Sequence, residues 1–451
     1  MAATEDNAAT QTPQVTAQAG GGISLVGFKA VFARRNFKLL FWGQAISALG
    51  DWVGTLAFIV AADRLSHGRP LAVTLVLVLR LIPTFLATPV GGVLSDRWDR
   101  RQIMIASDIT RFGIIILVPF VPQLWALYLF AFASEAASLV FLPARDASIP
   151  NVVAPDELEA ANAMVMGSSF AGIPLSGPVY AALAAAAVHY PLTWHGEHIF
   201  REHPYGFAFL FDSLTFLVSA WMINRMVLPK HRPNPSDEAP FLESLRYGVR
   251  WITQRRFIRS LAYAVTFGML GGGVLFALGI GYIHKTLGGN DVAFGWLMGL
   301  FGVGMVAGFF VSQLKPEQGT AWMLRGSILL TGAVLVVMSV LTQLWFAYIM
   351  AAIFGTAFSV DVIVAMSQVQ ARTPDETRGR VMSVVHMLFR GALAIGALAS
   401  GSLGQTLKGG VRVPVLDYHA DSNQVAMFFA GTLIMCGALA VSKSVDEPAG
   451  T

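Results

Sequence analysis

The sequence predicts an all-α polytopic membrane protein, with twelve transmembrane helices in two pseudo-symmetric six-helix bundles. Composition, the length of its apolar segments and the placement of its basic residues carry that expectation. Of 451 residues, 55% are hydrophobic and 13% charged, and the mean hydropathy is +0.60. Soluble domains carry about a quarter charged residues. No single water-soluble core absorbs so large an apolar excess, so the chain is read as inserted in a lipid bilayer.

A spanning helix needs about 20 mostly apolar residues. Twelve segments qualify: 38–63, 71–94, 102–121, 123–142, 160–186, 205–226, 257–283, 291–313, 320–342, 345–366, 381–406 and 423–444. Residues 1–36, rich in Ala, Thr, Gln and Gly, read as a disordered cytoplasmic tail, without the basic start and short apolar core of a secretory signal. Cys436 is the single cysteine, which excludes an intramolecular disulfide; inside the last span it reads as a small buried hydrophobe.

Lys and Arg in short loops set orientation. With the N-terminus inside, 22 of the 31 basic residues fall on the cytoplasmic side. Six (Arg64, Arg69, Arg201, Lys285, Lys408, Arg412) fall outside, and Arg80, Arg111 and Arg390 sit within spans. Both termini are therefore expected in the cytoplasm, the second being a short tail, 445–451.

The longest interior loop, 227–256, divides the chain into bundles at 37–226 and 257–444. Its second part places Leu242, Leu245, Val249 and Ile252 at helical spacing, with Arg246, Arg250 and Arg255 on other faces. A basic amphipathic helix at the inner membrane surface is expected there, a solvated linker helix being the alternative. An internal repeat agrees with the division. Pro155-Asp156-Glu157 recurs as Pro374-Asp375-Glu376, 219 residues on, and at that offset Gly172 matches Gly391 and Gly177 matches Gly396. Parallel halves with a site between them near the midplane are a transporter plan.

Between the second and third spans runs Gly91-Gly92-Val93-Leu94-Ser95-Asp96-Arg97-Trp98-Asp99-Arg100-Arg101. This loop resembles the signature of the major facilitator superfamily, and the resemblance covers the chain almost end to end from about residue 34. It implies that Gly91, Asp96, Arg97, Arg100 and Arg101 form a conformational latch. Asp96 would dock on the start of the eleventh span, where a helix N-terminus favours a carboxylate. Arg100 or Arg101 would pair with an acid at the inner end of the fourth span, for which Asp146 is the candidate. The equivalent loop of the second half, Val311 to Pro316, lacks the acid.

Arg35-Asn36-Phe37-Lys38-Leu39-Leu40, Leu142-Pro143-Ala144-Arg145-Asp146, Ala160-Ala161-Asn162-Ala163 and Arg378-Gly379-Arg380-Val381 resemble the siderophore-exporter and macrolide-efflux branch. A bacterial inner or plasma membrane location follows from that resemblance. Gly172, Pro174, Gly177 and Pro178 in the fifth span resemble the motif that family antiporters place there, although Ala181-Ala182 replaces its usual glycine pair. Gly and Pro let a spanning helix bend and a neighbour approach closely, with or without antiport.

Ionisable groups in hydrocarbon are costly unless they face a cavity or a partner, which makes each a functional candidate. Asp51, Arg80 and Glu135 fall at similar depth by helical rise. Gln44, Ser47, Asp51 and Thr55 share one face of the first span; Arg80, Thr84 and Thr88 share one face of the second; Glu135 and Ser138 share one of the fourth. The stripes are expected to line one cavity where a proton loads on Asp51 or Glu135 under the control of Arg80; a permanent pair of Arg80 with either acid is the structural alternative.

Asp361 and Arg390, at matching depth, are expected to form a structural pair or a gate, and Asp108 with Arg111 a local pair. Asp212 and His386 read as ordinary polar residues. His189, His195, His198 and His203 with Glu197 and Glu202 crowd one outer loop, but their spacing is irregular and no metal site is assigned.

The function expected is secondary active transport: proton-coupled efflux of an amphipathic small molecule, drug-like or a siderophore, by a monomer with no cofactor beyond the proton gradient. Proton-symport uptake and lysolipid flipping are alternatives within transport. A lipid-modifying membrane enzyme is the alternative outside it, and no phosphate-cradling glycine loop or nucleophile elbow favours one. Nucleic acid is not an expected partner.

Overall fold

The computed structural model describes residues 25–97, 99–189, 193–194, 197–198, 204–228, 241–314, 319–407, 410–413 and 418–441. Within helices, side chains 84–97 and a few others lie outside the described residues. Fifteen α-helices run in chain order through the described residues. The first half contains α1 (Leu25–Ala33), α2 (Arg35–Leu65), α3 (Pro70–Arg97), α4 (Arg100–Ile115), α5 (Leu124–Ser138), α6 (Phe141–Ser148), α7 (Leu158–His189) and α8 (Gly206–Asn224). Helix α9 (Phe241–Gln254) precedes the second half: α10 (Arg256–Gly281), α11 (Asp291–Ser312), α12 (Thr320–Val340), α13 (Leu344–Ala371), α14 (Asp375–Thr406) and α15 (Ser422–Gly437).

Ten helical segments among the described residues are long and apolar enough to cross a bilayer. The other two expected spans are helical as well: α3 runs 28 residues, and α15 runs 16 before a 3-10 turn. Sequence placed α1 in the tail, yet Val31 is fully buried and Phe32 packs edge-on against Phe41 and Trp42 of α2. Cys436 also departs from expectation, since it is exposed on the outside of the bundle. Hydrocarbon rather than protein is its expected neighbour, a distinction that hydrophobicity alone does not make.

Local chemistry sets the helix ends. The Asp99 carboxylate accepts the Gln102 backbone N–H at 3.1 Å to start α4, and Asp421 with Gln424 forms a reciprocal capping box for α15. Helix α2 stops where His67 (φ 55) and Gly68 (φ 73) turn left-handed and Pro70 opens α3. Arg34 pairs with Glu157 before α7, and Arg325 of α12 donates to the Val441 carbonyl, so both described chain ends lie at one end of the bundle.

The halves meet through two matched contacts. Helix α7, the fifth span, packs on α11, the second span of the other half; α14, the eleventh, packs on α3, the second. At the first contact, a Cβ on Gly177 would collide with backbone atoms of Gly299, and one on Gly302 with Pro174. At the second, Thr74 donates to the Ala397 carbonyl at 3.2 Å, leaving no room for a side chain at Gly401. Small residues permit this close approach. Helix α9 lies against α10 and α14, burying Trp251 and Ile252 and exposing Tyr247 and Val249.

Candidate substrate cavity

A cavity of about 360 Å³ lies between the halves, and Gln44, Ser47, Asp51, Arg80 and Glu135 all line it. The polar stripes of α2 and α5 meet Arg80 of α3 there, because residues three and four apart share a helix face; the side chains of Thr84 and Thr88 lie outside the described residues. Arg80 Nη2 stands 3.5 Å from Glu135 Oε2. Asp51 does not pair with Arg80; Arg111 of α4 approaches it at 3.4 Å.

Arg111 carries more than a local pair. Its guanidinium donates to Asp108 at 2.5 Å, as the three-residue spacing predicts, and lies 4.1 Å from the centre of the Phe216 ring. Asp108 is fully buried. The Asp51 side chain remains 39% exposed toward the cavity. Asp212 joins the lining from α8, its carboxyl wedged against Gly50 and Gly54 of α2. Arg145 also lines the cavity, paired with its neighbour Asp146 at 2.7 Å.

Two expected pairings do not form among the described residues. Asp361 is fully buried against Gly268, and neither carboxyl oxygen has a hydrogen-bond partner. Arg390, expected to be its partner, lines the cavity instead. Equal depth on neighbouring helices fixes height but not the direction a side chain faces. Asp146 likewise pairs with Arg145, leaving Arg100 to donate to the Ala147 carbonyl at 2.7 Å and Arg101 to Asn224 Oδ1 at 2.7 Å. Free carbonyls at the ends of α6 and α8 offer the guanidinium groups acceptors that compete with a carboxylate. Gly91, Asp96 and Arg97 lie where side chains are not described.

Of the antiporter-like motif, Pro174, Gly177 and Pro178 face α11, whereas Gly172 faces Leu49 and Trp52 of α2. His386 contacts the Met382 carbonyl one turn back at 2.9 Å. Among the outer-loop histidines, His189 is described and contacts Ala185 O at 2.8 Å; the side chains of the other three lie outside the described residues. No group of three metal-ligating residues occurs among the described residues.

Sequence reading missed the closure at the end of the bundle away from the chain ends. Asp63 and Arg64 finish α2; His284 follows α10, and Asp291 opens α11. His284 Nδ1 is 2.9 Å from Asp63 Oδ2 and Nε2 is 3.0 Å from Asp291 Oδ1, while Arg64 reaches Asp291 at 2.8 Å. Lys285 adds a bond to the Gly68 carbonyl. Four charged or titratable side chains near helix ends resemble ordinary loop residues in one dimension. Only burial of Asp63 and Asp291, 6% and 3% exposed, marks them out.

The Major Facilitator Superfamily model matches residues 40–397. This chain belongs to that superfamily. Its relatives include an uncharacterised transporter of the family, YfiS of Bacillus subtilis, 25% identical over 82% of this chain and 87% of that protein. The putative bacilysin exporter BacE of Bacillus amyloliquefaciens is 25% identical over 80% and 87%. The enterobactin exporter EntS of Shigella boydii is 24% identical over 82% and 85%. Among solved folds, an inward-facing, occupied bacterial homologue of the lysosomal transporter Spinster superposes with a TM-score of 0.67 at 14% identity, covering 90% of this chain and 95% of that one. The superfamily membership makes the chain a multi-pass membrane transporter.

Proposed function

We propose that this superfamily member is a proton-coupled exporter of an amphipathic small molecule, working by alternating access from a bacterial inner or plasma membrane. Its termini face the cytoplasm, it works as a monomer, and the proton gradient is its only energy source. The observation that carries this reading is a mostly apolar cavity holding Asp51, Arg80 and Glu135, combined with a charged closure at one end of the bundle.

Arg80 and Glu135 stand at the outer limit of a hydrogen bond, and a proton on Glu135 frees Arg80 to take another partner. Asp51, half open to the cavity, offers a second proton position. A cationic or hydrogen-bonding cargo competes with protons at these carboxylates, and competition at one site is what exchange requires. Exporter names among the relatives favour the outward direction.

The test is efflux of a compound panel from an efflux-deficient host, with and without a protonophore, followed by transport in everted vesicles. Loss of proton-driven efflux in Glu135→Gln or Asp51→Asn is expected. Full efflux in both variants would remove the coupling assignment.

A further inference from the structure

The two halves contribute unlike chemistry to the cavity. Each N-half arginine lining it has a carboxylate partner: Arg80 with Glu135, Arg111 with Asp108, Arg145 with Asp146. The C-half supplies Phe276, Phe389, Leu393 and a single charge, Arg390. Arg390 has no hydrogen bond or ion pair among the described residues, although Glu135 lies within electrostatic reach. A guanidinium facing a membrane cavity without a counter-ion is costly, and its planar fork matches a carboxylate.

The N-half supplies its opposite. Asp51 keeps its side chain open to the space, and its nearest cation, Arg111, is already bound to buried Asp108. The cavity therefore has an acceptor on one wall, an unpaired donor fork on the other and aromatic surface beside that fork.

We propose that the cargo is a zwitterion with an apolar body, its carboxylate held by Arg390 and its ammonium by Asp51. This rests on the transport reading of the cavity and names the substrate class. It is compatible with exchange, because the cargo ammonium occupies the Asp51 carboxylate while its own carboxylate neutralises Arg390.

The test uses three fluorescent probes that share one apolar body: Nε-dansyl-lysine, its methyl ester and its Nα-acetyl derivative. They carry both charges, the ammonium alone and the carboxylate alone. Binding is read from dansyl fluorescence on the purified full chain in nanodiscs. The zwitterion is expected to bind at least about tenfold tighter than either analogue, the scale of one charge-assisted hydrogen bond. In Arg390→Gln the ester should equal the zwitterion, in Asp51→Asn the acetyl derivative should, and Arg390→Lys should keep part of the preference.

Equal binding of all three probes by the unmodified chain, no saturable binding of the zwitterion, or an unchanged preference in a correctly folded Arg390→Gln would overturn the proposal. Proteoliposome uptake with and without a pH gradient separates the two readings. If the gradient drives the ester as well as the zwitterion, in Arg390→Gln as in the unmodified chain, the zwitterion fails and transport stands. If it drives no probe while the binding ratios hold, the transport reading fails and the zwitterion site stands.

Discussion

Arg64, in the last turn of α2, bonds Asp291 in the first turn of α11 at 2.8 Å, joining the two halves at the end of the bundle away from the chain ends. An acid in the first turn of a helix and a base in the last turn of another each complement the local backbone dipole. His284 extends the tie to Asp63, so Asp291 is shared by Arg64 and His284. Alternating access requires this end to part.

Arg64→Ala should therefore shift the population toward the state open at this end. The pair is partly exposed, with the Arg64 side chain 39% accessible, so about 1 kcal/mol and a several-fold shift are expected. Maleimide labelling of a Ser47→Cys reporter in a Cys436→Ser background checks it, using a reagent added to that side alone. An unchanged labelling rate would show that the tie carries none of the closure.

The α7–α11 contact gives a prediction with its own control. Gly177 abuts the Gly299 backbone, whereas Gly167 on the same helix has open space where a Cβ would stand. Gly177→Ala should force the halves apart, at about 1–3 kcal/mol for an overpacked contact, and lower both the melting midpoint and transport. Gly167→Ala should leave both unchanged. Equal effects of the two substitutions would mean that helix propensity, not close approach, governs this span.

Gly54 illustrates a different constraint. A Cβ there would run into the carboxyl of Asp212, which is itself buried with one oxygen lacking a partner. Gly54→Ala is expected to lower the melting midpoint, while Gly54→Ala with Asp212→Ala should recover part of the loss. The two sites touch, so their effects should be non-additive, and a double-mutant cycle on purified protein measures the difference.

Hydropathy made the bundle legible because lipid imposes long apolar helices on any sequence that crosses it. The cavity stripes were legible too, since Gln44, Ser47 and Asp51 share a face whatever the neighbours do. Pairing was not. Asp361 and Arg390 match in depth yet face different surroundings, and Asp51 meets Arg111 rather than Arg80 because α4 lies on that side of α2. The tie of Asp63, Arg64, His284 and Asp291 escaped notice for the same reason: contacts separated by more than 200 residues depend on how the halves dock.

The Arg34–Glu157 pair fixes the junction of α1 and α2 beside α7, and it lies outside the spans. The Arg34 hydrogen bond and the Ala154 backbone N–H both hold the Glu157 carboxyl below its usual range. A group with a depressed folded-state pKa contributes stability above the unfolded value, about 4.3 for glutamate, and loses it as pH falls through the folded value. Hydrogen exchange in residues 25–33, corrected for the intrinsic chemical rate, should therefore be level between pH 5 and 8. It should rise as pH falls below about 4. Glu157→Gln should raise protected-site exchange already at pH 7 and remove the dependence on acid. Persistence of the acid-induced rise in that variant would assign the effect to another carboxylate.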